Sequence, residues 1–410
     1  MAEVSVLNVA LYGKPVGTLT RIPGDRTIFA FNDDYIADAG RPTLGLRFKD
    51  SLGGLITEFK PVQTRVMPFF SNLLPEGRLR DYLSERAGVN PDREFFLLWV
   101  LGRDLPGAVT ITPADGGDWP ADARSDRRAT QDAAAATGNA LHFSLAGVQL
   151  KFSAVADPKG GLTVPASGIG GSWIVKLPST SYAGVPENEY SMMTLAARIG
   201  IDVPRIDLVD TAAIAKLPGG VEQLGGKTFI IERFDRLPDG TLVHIEDFAQ
   251  VYDVYADDKY KRANMRNIAS VIAAEAGTLD LQEFIRRLTF NTLIGNGDMH
   301  LKNWSLIYPD RVHAALAPAY DFVSTIPYIP NDSSALNYSR SRAFDDFSAD
   351  ELSHLAGKAR LPEKLVLDTA RDTVARFREV WEKEKLHLPM DDTVRRSIDA
   401  LLPRIPIANE

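Results

Sequence analysis

The residues of this chain best suited to chemistry lie in a polar segment directly after a long amphipathic pattern. Asp298 and Asn303 are five residues apart in GDMHLKN (297–303), and Asp321 follows eighteen residues after Asn303, in YDF (320–322). In phosphoryl transfer, a protein mainly positions the reactants and neutralises charge. One carboxylate receives the proton of the acceptor hydroxyl, while a second carboxylate and a neutral oxygen hold Mg²⁺. We therefore assign the base to Asp298 and the magnesium ligands to Asn303 and Asp321.

Each of these residues could instead have a purely structural role, because Asp and Asn in loops commonly form turns and caps. The three together, at this spacing between a helix and a Tyr-Asp-Phe sequence, favour the functional interpretation. His300 in the same segment suits either bracing of the loop or contact with phosphate, and both roles stay open for this candidate. The six histidines are scattered along the chain, which argues against a histidine metal cluster.

The upstream half must bind the nucleotide. Lys176 ends the apolar run WIVK (173–176), where its ammonium group could reach the α- and β-phosphates; the alternative is a lysine that extends from the sheet edge into solvent. Glu189 follows thirteen residues later on a predicted helix, 187–199. It could pair with Lys176, as a strand lysine and a helix glutamate do in protein kinases, or lie at the surface.

Two further stretches are candidates for nucleotide contacts. FIIERFDR (229–236) begins as a buried strand and turns polar, as expected where the chain crosses between lobes beside adenine, although Phe234 could simply be core. For the loop that covers the phosphates, SLAGVQLK (144–151) competes with the glycine cluster at 168–171. We favour the first, with Gly147 and Lys151 as phosphate contacts, because its pattern indicates a strand-turn-strand.

The surrounding elements predict how these residues are positioned. Residues 1–111 read as short strands followed by two helices, and residues 112–140 as a linker poor in large apolar residues. Residues 141–248 read as strands, one helix and strands, which resembles a nucleotide-binding small lobe. Residues 249–410 read as a helical lobe. The expected fold is α+β: a kinase-like bilobal core, with a β-rich small lobe and a helical large lobe, preceded by an N-terminal β plus helix subdomain.

Bulk composition narrows the class of protein. The 410 residues are 45% hydrophobic and 24% charged, an ordinary globular mixture, and the net charge of −8 disfavours direct binding to DNA. The chain has no cysteine, which excludes disulfides and thiolate chemistry. No secretory leader pattern and no run of roughly 18 apolar residues is seen. We therefore expect a cytoplasmic protein that neither crosses nor binds a membrane.

Several motifs in order make the sequence resemble the HipA family of bacterial toxin kinases, from about Val4 to the C-terminal helices. The motifs are PFFSNLLPEG (68–77), the glycines at 102 and 107, SLAGVQLKFS (144–153), WIVKLPS (173–179), ENEY (187–190), FIIERFDR (229–236), GDMHLKN (297–303) and YDF (320–322).

The resemblance implies an ATP- and Mg²⁺-dependent serine/threonine protein kinase. It implies a partner, a DNA-binding antitoxin of the HipB type, and contact of this protein with DNA only through that antitoxin. It also implies that growth slows because a translation component is phosphorylated, such as an aminoacyl-tRNA synthetase. The family's roles fall on matching positions of this chain: Asp298 as base, Asn303 and Asp321 as metal ligands, Lys176 on ATP, Glu232 and Phe234 flanking adenine, and Ser144 as the self-phosphorylated serine.

Two departures from general protein kinases leave alternatives open. Gly-Asp-Met-His stands where those kinases have His-Arg-Asp, and Asp-Phe-Val (321–323) stands where they have Asp-Phe-Gly. Control by an activation loop is therefore not expected. The Asp-x-His-x-x-Asn order also occurs in lipid kinases, so a small-molecule or lipid kinase is one rival. The other is a non-catalytic co-repressor partner of the antitoxin, against which the intact candidate site argues.

Overall fold

The computed structural model describes residues 5–114, 151–156, 162–163, 171–179, 181–217 and 225–410. Ser144 and Gly147 lie outside these ranges, as does most of the stretch 112–140. Within the described parts of the chain, no helix is long and apolar enough to cross a membrane.

The N-terminal unit (residues 5–114) is built on a five-stranded antiparallel sheet in the order β4-β3-β2-β1-β5. Leu7, Val9 and Leu11 alternate with more exposed residues and are fully buried, as the period of two predicts. The strands are β1 Ser5–Leu11, β2 Lys14–Ile22, β3 Arg26–Phe31, β4 Val62–Gln63 and β5 Val109–Pro113, and the helices are α1 Asp33–Ala37, α2 Pro68–Ser71, α3 Gly77–Ala87 and α4 Glu94–Leu101.

A second, six-stranded sheet forms the small lobe. Its strands are β6 Lys151–Ala156, β7 Leu162–Thr163, β8 Trp173–Lys176, β9 Ile206–Asp210, β10 Ile214–Ala215 and β11 Lys227–Glu232, in the order β10-β7-β6-β8-β11-β9. Helix α5 (Val185–Arg198) buries Met192, Met193 and Leu195 in the same core cluster as Phe229 of β11. The register of the sheet sets Lys151 opposite Lys176, and Phe229 opposite Lys176 on the other side.

The large lobe is mainly helical and contains a three-stranded sheet. Its strands are β12 His244–Asp247, β13 Ser305–Tyr308 and β14 Ala315–Leu316, and its helices are α6 Phe248–Val251, α7 Met265–Glu275, α8 Thr278–Leu293, α9 Ala349–Ala359, α10 Glu363–Glu384 and α11 Asp392–Leu401. Apolar residues at helical spacing on α8 and α10 meet in the core, where Phe290 packs edge-on against Phe377 with ring centroids 5.8 Å apart. Strand β12 pairs with β13 rather than with the small-lobe sheet.

The order of a strand-rich lobe before a helical lobe matches the expectation. The predicted helix 187–199 is observed at 185–198, and α10 of the predicted helical lobe spans Glu363–Glu384. The two predicted N-terminal helices correspond to α3 and α4. Of the stretch 144–151, predicted as a strand-turn-strand, only Lys151 lies within the described residues, at the start of β6.

Candidate active site

A cleft of about 1190 Å³ opens where the N-terminal unit, the small lobe and the large lobe meet. The small lobe contributes Lys151 and Lys176, and the large lobe contributes Asp298 and Asp321. The N-terminal unit supplies one wall, which includes residues of the PFFSNLLPEG motif such as Glu76. Residues more than two hundred positions apart in the chain therefore share one cavity.

Two lysines and two carboxylates form a cluster on the small-lobe side of the cleft. Lys176, at the end of β8, donates to both Glu189 of α5 and Asp321 Oδ1. Lys151 Nζ lies 3.1 Å from Asp321 Oδ2. The Lys176 and Glu189 side chains are almost inaccessible, at 4% and 1% exposure. The predicted pairing of Lys176 with Glu189 is confirmed, and the alternative of a solvent-directed edge lysine is wrong.

The electrostatics of this cluster favour the charged forms of Asp321 and Lys176. Burial alone would raise the pKa of Asp321, but the ammonium groups of Lys151 and Lys176 outweigh burial and hold that pKa well below its ordinary value. Burial would lower the pKa of Lys176, but Asp321 and Glu189 outweigh it and raise that pKa. The Asp321 carboxylate is therefore ionised, whereas burial outweighs the charge of Lys176 and raises the pKa of Glu189 above its ordinary value.

The backbone at Asp321 is strained, which is a common feature of functional sites. Its φ is +58°, in the left-handed region that residues other than glycine seldom adopt. The Asn296 side-chain amide donates to the Asp321 carbonyl at 3.4 Å. Tyr320, the preceding residue, donates to the Lys302 carbonyl at 3.0 Å. These two contacts attach the YDF segment to the polar loop (residues 295–304).

The polar loop presents the remaining predicted residues. The buried Asn296 side chain accepts from the Asp298 backbone N–H at 3.0 Å, and the Asn303 side-chain amide donates to the Asp298 carbonyl at 2.7 Å. These bonds close the loop on itself at the point where Leu301–Asn303 forms a short 3-10 turn. The side chain of Asp298 is 54% exposed and lines the cleft, as does Asn303. The loop therefore brings the candidate base and one candidate metal ligand together.

His300 is buried beside the candidate base. Its Nε2 lies 3.9 Å from Asp298 Oδ1, while its Nδ1 is buried and has no hydrogen-bond partner within the described residues. Burial lowers the pKa of His300 to about 4, so the ring is neutral at physiological pH. The ring makes a T-shaped contact with the Tyr260 ring, with centroids 5.0 Å apart. A neutral, enclosed ring fits bracing of the loop better than charge pairing with phosphate.

The predicted adenine-flanking residues lie in the same cleft. Glu232 ends β11 and Phe234 follows it, and both are half-buried. The Phe234 ring is tilted towards Tyr320 with centroids 5.9 Å apart, so it packs near Asp321. The Glu232 backbone N–H donates to the Arg205 carbonyl at 2.8 Å, which secures the strand at its exit from the sheet.

A buried ionic network below the polar loop was not predicted. Lys302 Nζ lies 3.0 Å from Asp247 Oδ2 and 3.3 Å from Glu76 Oε1, and it donates to the Asn72 carbonyl at 2.9 Å. Glu76 Oε2 lies 2.9 Å from Lys259 Nζ. Burial would raise the pKa of Glu76, but Lys302 and Lys259 lower it to about 2. The sequence feature that could have indicated this network is the polar stretch Pro75-Glu76-Gly77, which follows the apolar stretch PFFSNLL (68–74).

The residues present fit ATP and Mg²⁺. A carboxylate and an amide oxygen are ligands that Mg²⁺ accepts, since this ion keeps several waters and needs few protein ligands. The amide oxygen of Asn303 has no hydrogen-bond partner within the described ranges, and the Asp321 carboxylate is charged. Lys151 and Lys176 supply the positive charge that phosphates require. Asp321 and Asn303 would hold the metal, and Lys151 and Lys176 would bind the phosphates.

Comparisons with known proteins agree with this architecture. The HipA N-terminal domain model matches residues 7–112, and the HipA-like C-terminal domain model matches residues 143–381. Y4dM of Sinorhizobium fredii, named as a candidate kinase, is 60% identical, with 100% of this chain and 99% of that protein covered. Y4mE of the same organism, named likewise, is 31% identical over 79% of this chain and 78% of that protein.

More distant relatives have more specific names. The serine/threonine-protein kinase toxin HipA of Shewanella oneidensis is 26% identical over 64% of each chain. A solved structure of HipA and HipB of that organism with operator DNA matches with a TM-score of 0.72 and 23% identity, covering 97% of this chain and 96% of that one. At that identity the likeness concerns the fold, and it confirms the expected α+β, kinase-like bilobal architecture. The chain therefore belongs to the HipA family.

Proposed function

We propose that this protein is an ATP- and Mg²⁺-dependent serine/threonine protein kinase. The observation that supports it most is the single cleft in which Lys151 and Lys176 face Asp321, with Asp298 and Asn303 on the adjoining loop. Phosphoryl transfer requires this combination of fixed cations, a metal-binding carboxylate and amide, and a separate exposed carboxylate. The names of the relatives support the same class of reaction.

Each residue has a distinct task in the proposed reaction. When bound, ATP supplies the phosphoryl group and Mg²⁺ neutralises phosphate charge. Glu189 of α5 holds the Lys176 ammonium group at the end of β8, on the small-lobe side of the cleft, where it could contact phosphate once Asp321 binds the metal. Asp298 would accept the proton of the acceptor hydroxyl as its oxygen bonds to the γ-phosphorus and the bond from that phosphorus to the leaving ADP breaks. Glu232 and Phe234 flank the adenine at the crossing between the lobes.

We also propose that the protein is the toxin of a toxin–antitoxin pair, acting in the cytoplasm on a translation component such as an aminoacyl-tRNA synthetase. Family membership supports the pairing, as does the likeness to a HipA bound to HipB and operator DNA. Ser144 stays a predicted site of self-phosphorylation. A phosphate there would add about −1.5 to −2 charges and repel the phosphates of ATP if the segment 144–151 covers them.

The acceptor can be identified by incubating the purified protein with γ-labelled ATP, Mg²⁺ and a cytosolic extract. We expect labelled proteins whose acid hydrolysates contain phosphoserine or phosphothreonine. Asp298→Asn should abolish the labelling. Asp310→Asn, the same change at an exposed turn outside the cleft, should leave it intact. Label found only in lipids or small metabolites would favour the small-molecule rival, and labelling by Asp298→Asn at the wild-type rate would contradict the proposal.

The toxin assignment has its own test. Overproduction of the wild-type protein should arrest growth, and coexpression of the antitoxin or the substitution Asp298→Asn should relieve the arrest. Normal growth in cells that contain active enzyme would contradict the toxin role while leaving the kinase assignment untouched.

A further inference from the structure

Tyr260 makes a direct hydrogen bond to the proposed catalytic base. It lies in the connection between the 3-10 turn 256–258 and α7, and its hydroxyl donates to Asp298 Oδ1 at 2.6 Å. Burial and the charge of Asp298 raise the pKa of Tyr260 above its ordinary value, so the phenol remains a donor. Neither residue type nor spacing pointed to this contact.

Three contacts fix the position of Tyr260. The Leu301 backbone N–H donates to the Lys259 carbonyl at 3.3 Å, which attaches this connection to the polar loop. Lys259 Nζ is paired with Glu76 of the N-terminal unit at 2.9 Å. The Tyr260 and His300 rings meet in a T-shaped arrangement at an interplanar angle of 84°. The hydroxyl is thus positioned by the attachment of the preceding residue, Lys259, and by the contact of its own ring with His300.

The two oxygens of the Asp298 carboxylate have different surroundings. Oδ1 accepts from Tyr260 and lies 3.9 Å from His300 Nε2. Oδ2 has no hydrogen-bond partner in the described parts of the chain, although the side chain is 54% exposed and lines the cleft. A carboxylate with one oxygen occupied by a fixed donor and the other open is oriented for a single incoming hydroxyl.

We propose that Tyr260 is a positioning residue of the active site, which holds Oδ1 of Asp298 so that Oδ2 faces the acceptor hydroxyl. The inference rests on the proposed function, because it assumes that Asp298 is the base. Orientation of a catalytic group matters since small misplacements cost large factors in rate. Tyr260 itself receives no proton and forms no covalent bond.

The test is Tyr260→Phe, which keeps the ring against His300 and removes only the hydroxyl. With γ-labelled ATP and cytosolic extract, we expect the labelling rate at saturating ATP to fall about tenfold, the size of a lost hydrogen bond to a charged group. The KM for ATP should not change. Tyr255→Phe is the matched control: it removes a hydroxyl that donates to the Val66 carbonyl at 3.1 Å nearby, and it should leave both values unchanged.

The outcomes separate this inference from the proposed function. A wild-type labelling rate in Tyr260→Phe would overturn the positioning role, and a faster rate would show that the hydroxyl blocks the acceptor instead. If the wild-type protein transfers no phosphate, the proposed function fails and the catalytic consequence of the Tyr260 contact fails with it, while a crystal structure of Tyr260→Phe still tests whether the hydroxyl orients the Asp298 carboxylate. We expect the Asp298 carboxylate to be rotated or present in two orientations there, and an unchanged single orientation would overturn the inference.

Discussion

Glu246 offers a quantitative test of how the N-terminal unit packs on the large lobe. Its side chain is fully buried at this junction, where Oε1 accepts from the Leu46 backbone N–H at 2.9 Å and from the Tyr308 hydroxyl. Oε2 has no hydrogen-bond partner within the described residues. Burial raises the pKa of Glu246 from 4.5 to about 7, in spite of these two donors.

The sign of the effect on stability follows from proton binding. Below pH 4.5 the glutamate is protonated in both the folded and the unfolded chain, so it does not change the free energy of unfolding as pH varies there. Between 4.5 and about 7 the unfolded chain releases the proton while the folded chain keeps it, so the free energy of unfolding falls as pH rises. The difference of about 2.5 pH units, at 1.36 kcal/mol for each, corresponds to about 3 kcal/mol.

Glu246→Gln removes this titration and keeps an acceptor for Leu46 and Tyr308. We expect the variant to gain stability over the wild type as pH rises through this window, reaching about 3 kcal/mol above pH 7. Urea denaturation followed by tryptophan fluorescence at a series of pH values measures it. Glu58→Gln, at an exposed position of the N-terminal unit, is the control and should show no such trend. A difference between Glu246→Gln and wild type that does not vary with pH would refute the reasoning.

Four further substitutions test the cleft and the buried ionic network around Lys302. Asp321→Asn should weaken Mg²⁺-dependent binding of ATP by at least about tenfold, because it removes the charge of the metal ligand; unchanged affinity by calorimetry would exclude that role. Lys176→Met leaves Glu189 buried without its cation. We expect the free energy of unfolding, measured by urea denaturation, to fall by about 3 kcal/mol, and ATP binding to be lost. Lys302→Met should lower the free energy of unfolding by about 3–5 kcal/mol, because it leaves Asp247 buried without its cation. Adding Asp247→Asn should restore part of that free energy. Strictly additive losses from the two substitutions would show that the two side chains are not coupled.

Local patterns predicted much of this structure. Apolar periodicity located the long helices, and it placed Lys176 at a strand end and Glu189 on the next helix. The clustering of Asp298, Asn303 and Asp321 was predicted from residue type and spacing because the chemistry restricts which side chains can serve. Such predictions succeed where a short stretch of chain determines its own conformation.

What the sequence did not reveal depends on contacts between distant segments. Lys302 and Asn72 are 230 residues apart, and neither segment of the sequence indicates that the two side chains form a hydrogen bond. Strand β5 completes the N-terminal sheet by pairing with β1, as Leu11 opposite Val109 shows, although a hundred residues separate them. Tyr260 is a single aromatic residue in a polar connection, without a periodic pattern. These contacts are set by tertiary packing, which a pattern along one chain segment does not encode.

The central claim is that this cleft transfers phosphate from ATP with Asp298 as the base. Its most direct test is a comparison of purified wild-type protein and Asp298→Asn, in which ATP affinity and the rate of transfer to extract proteins are measured on the same samples. The account predicts equal affinity for Mg²⁺-ATP and a loss of transfer by about 10²–10⁴-fold, the usual contribution of a general base. Transfer by Asp298→Asn at the wild-type rate, with ATP binding intact, would contradict it.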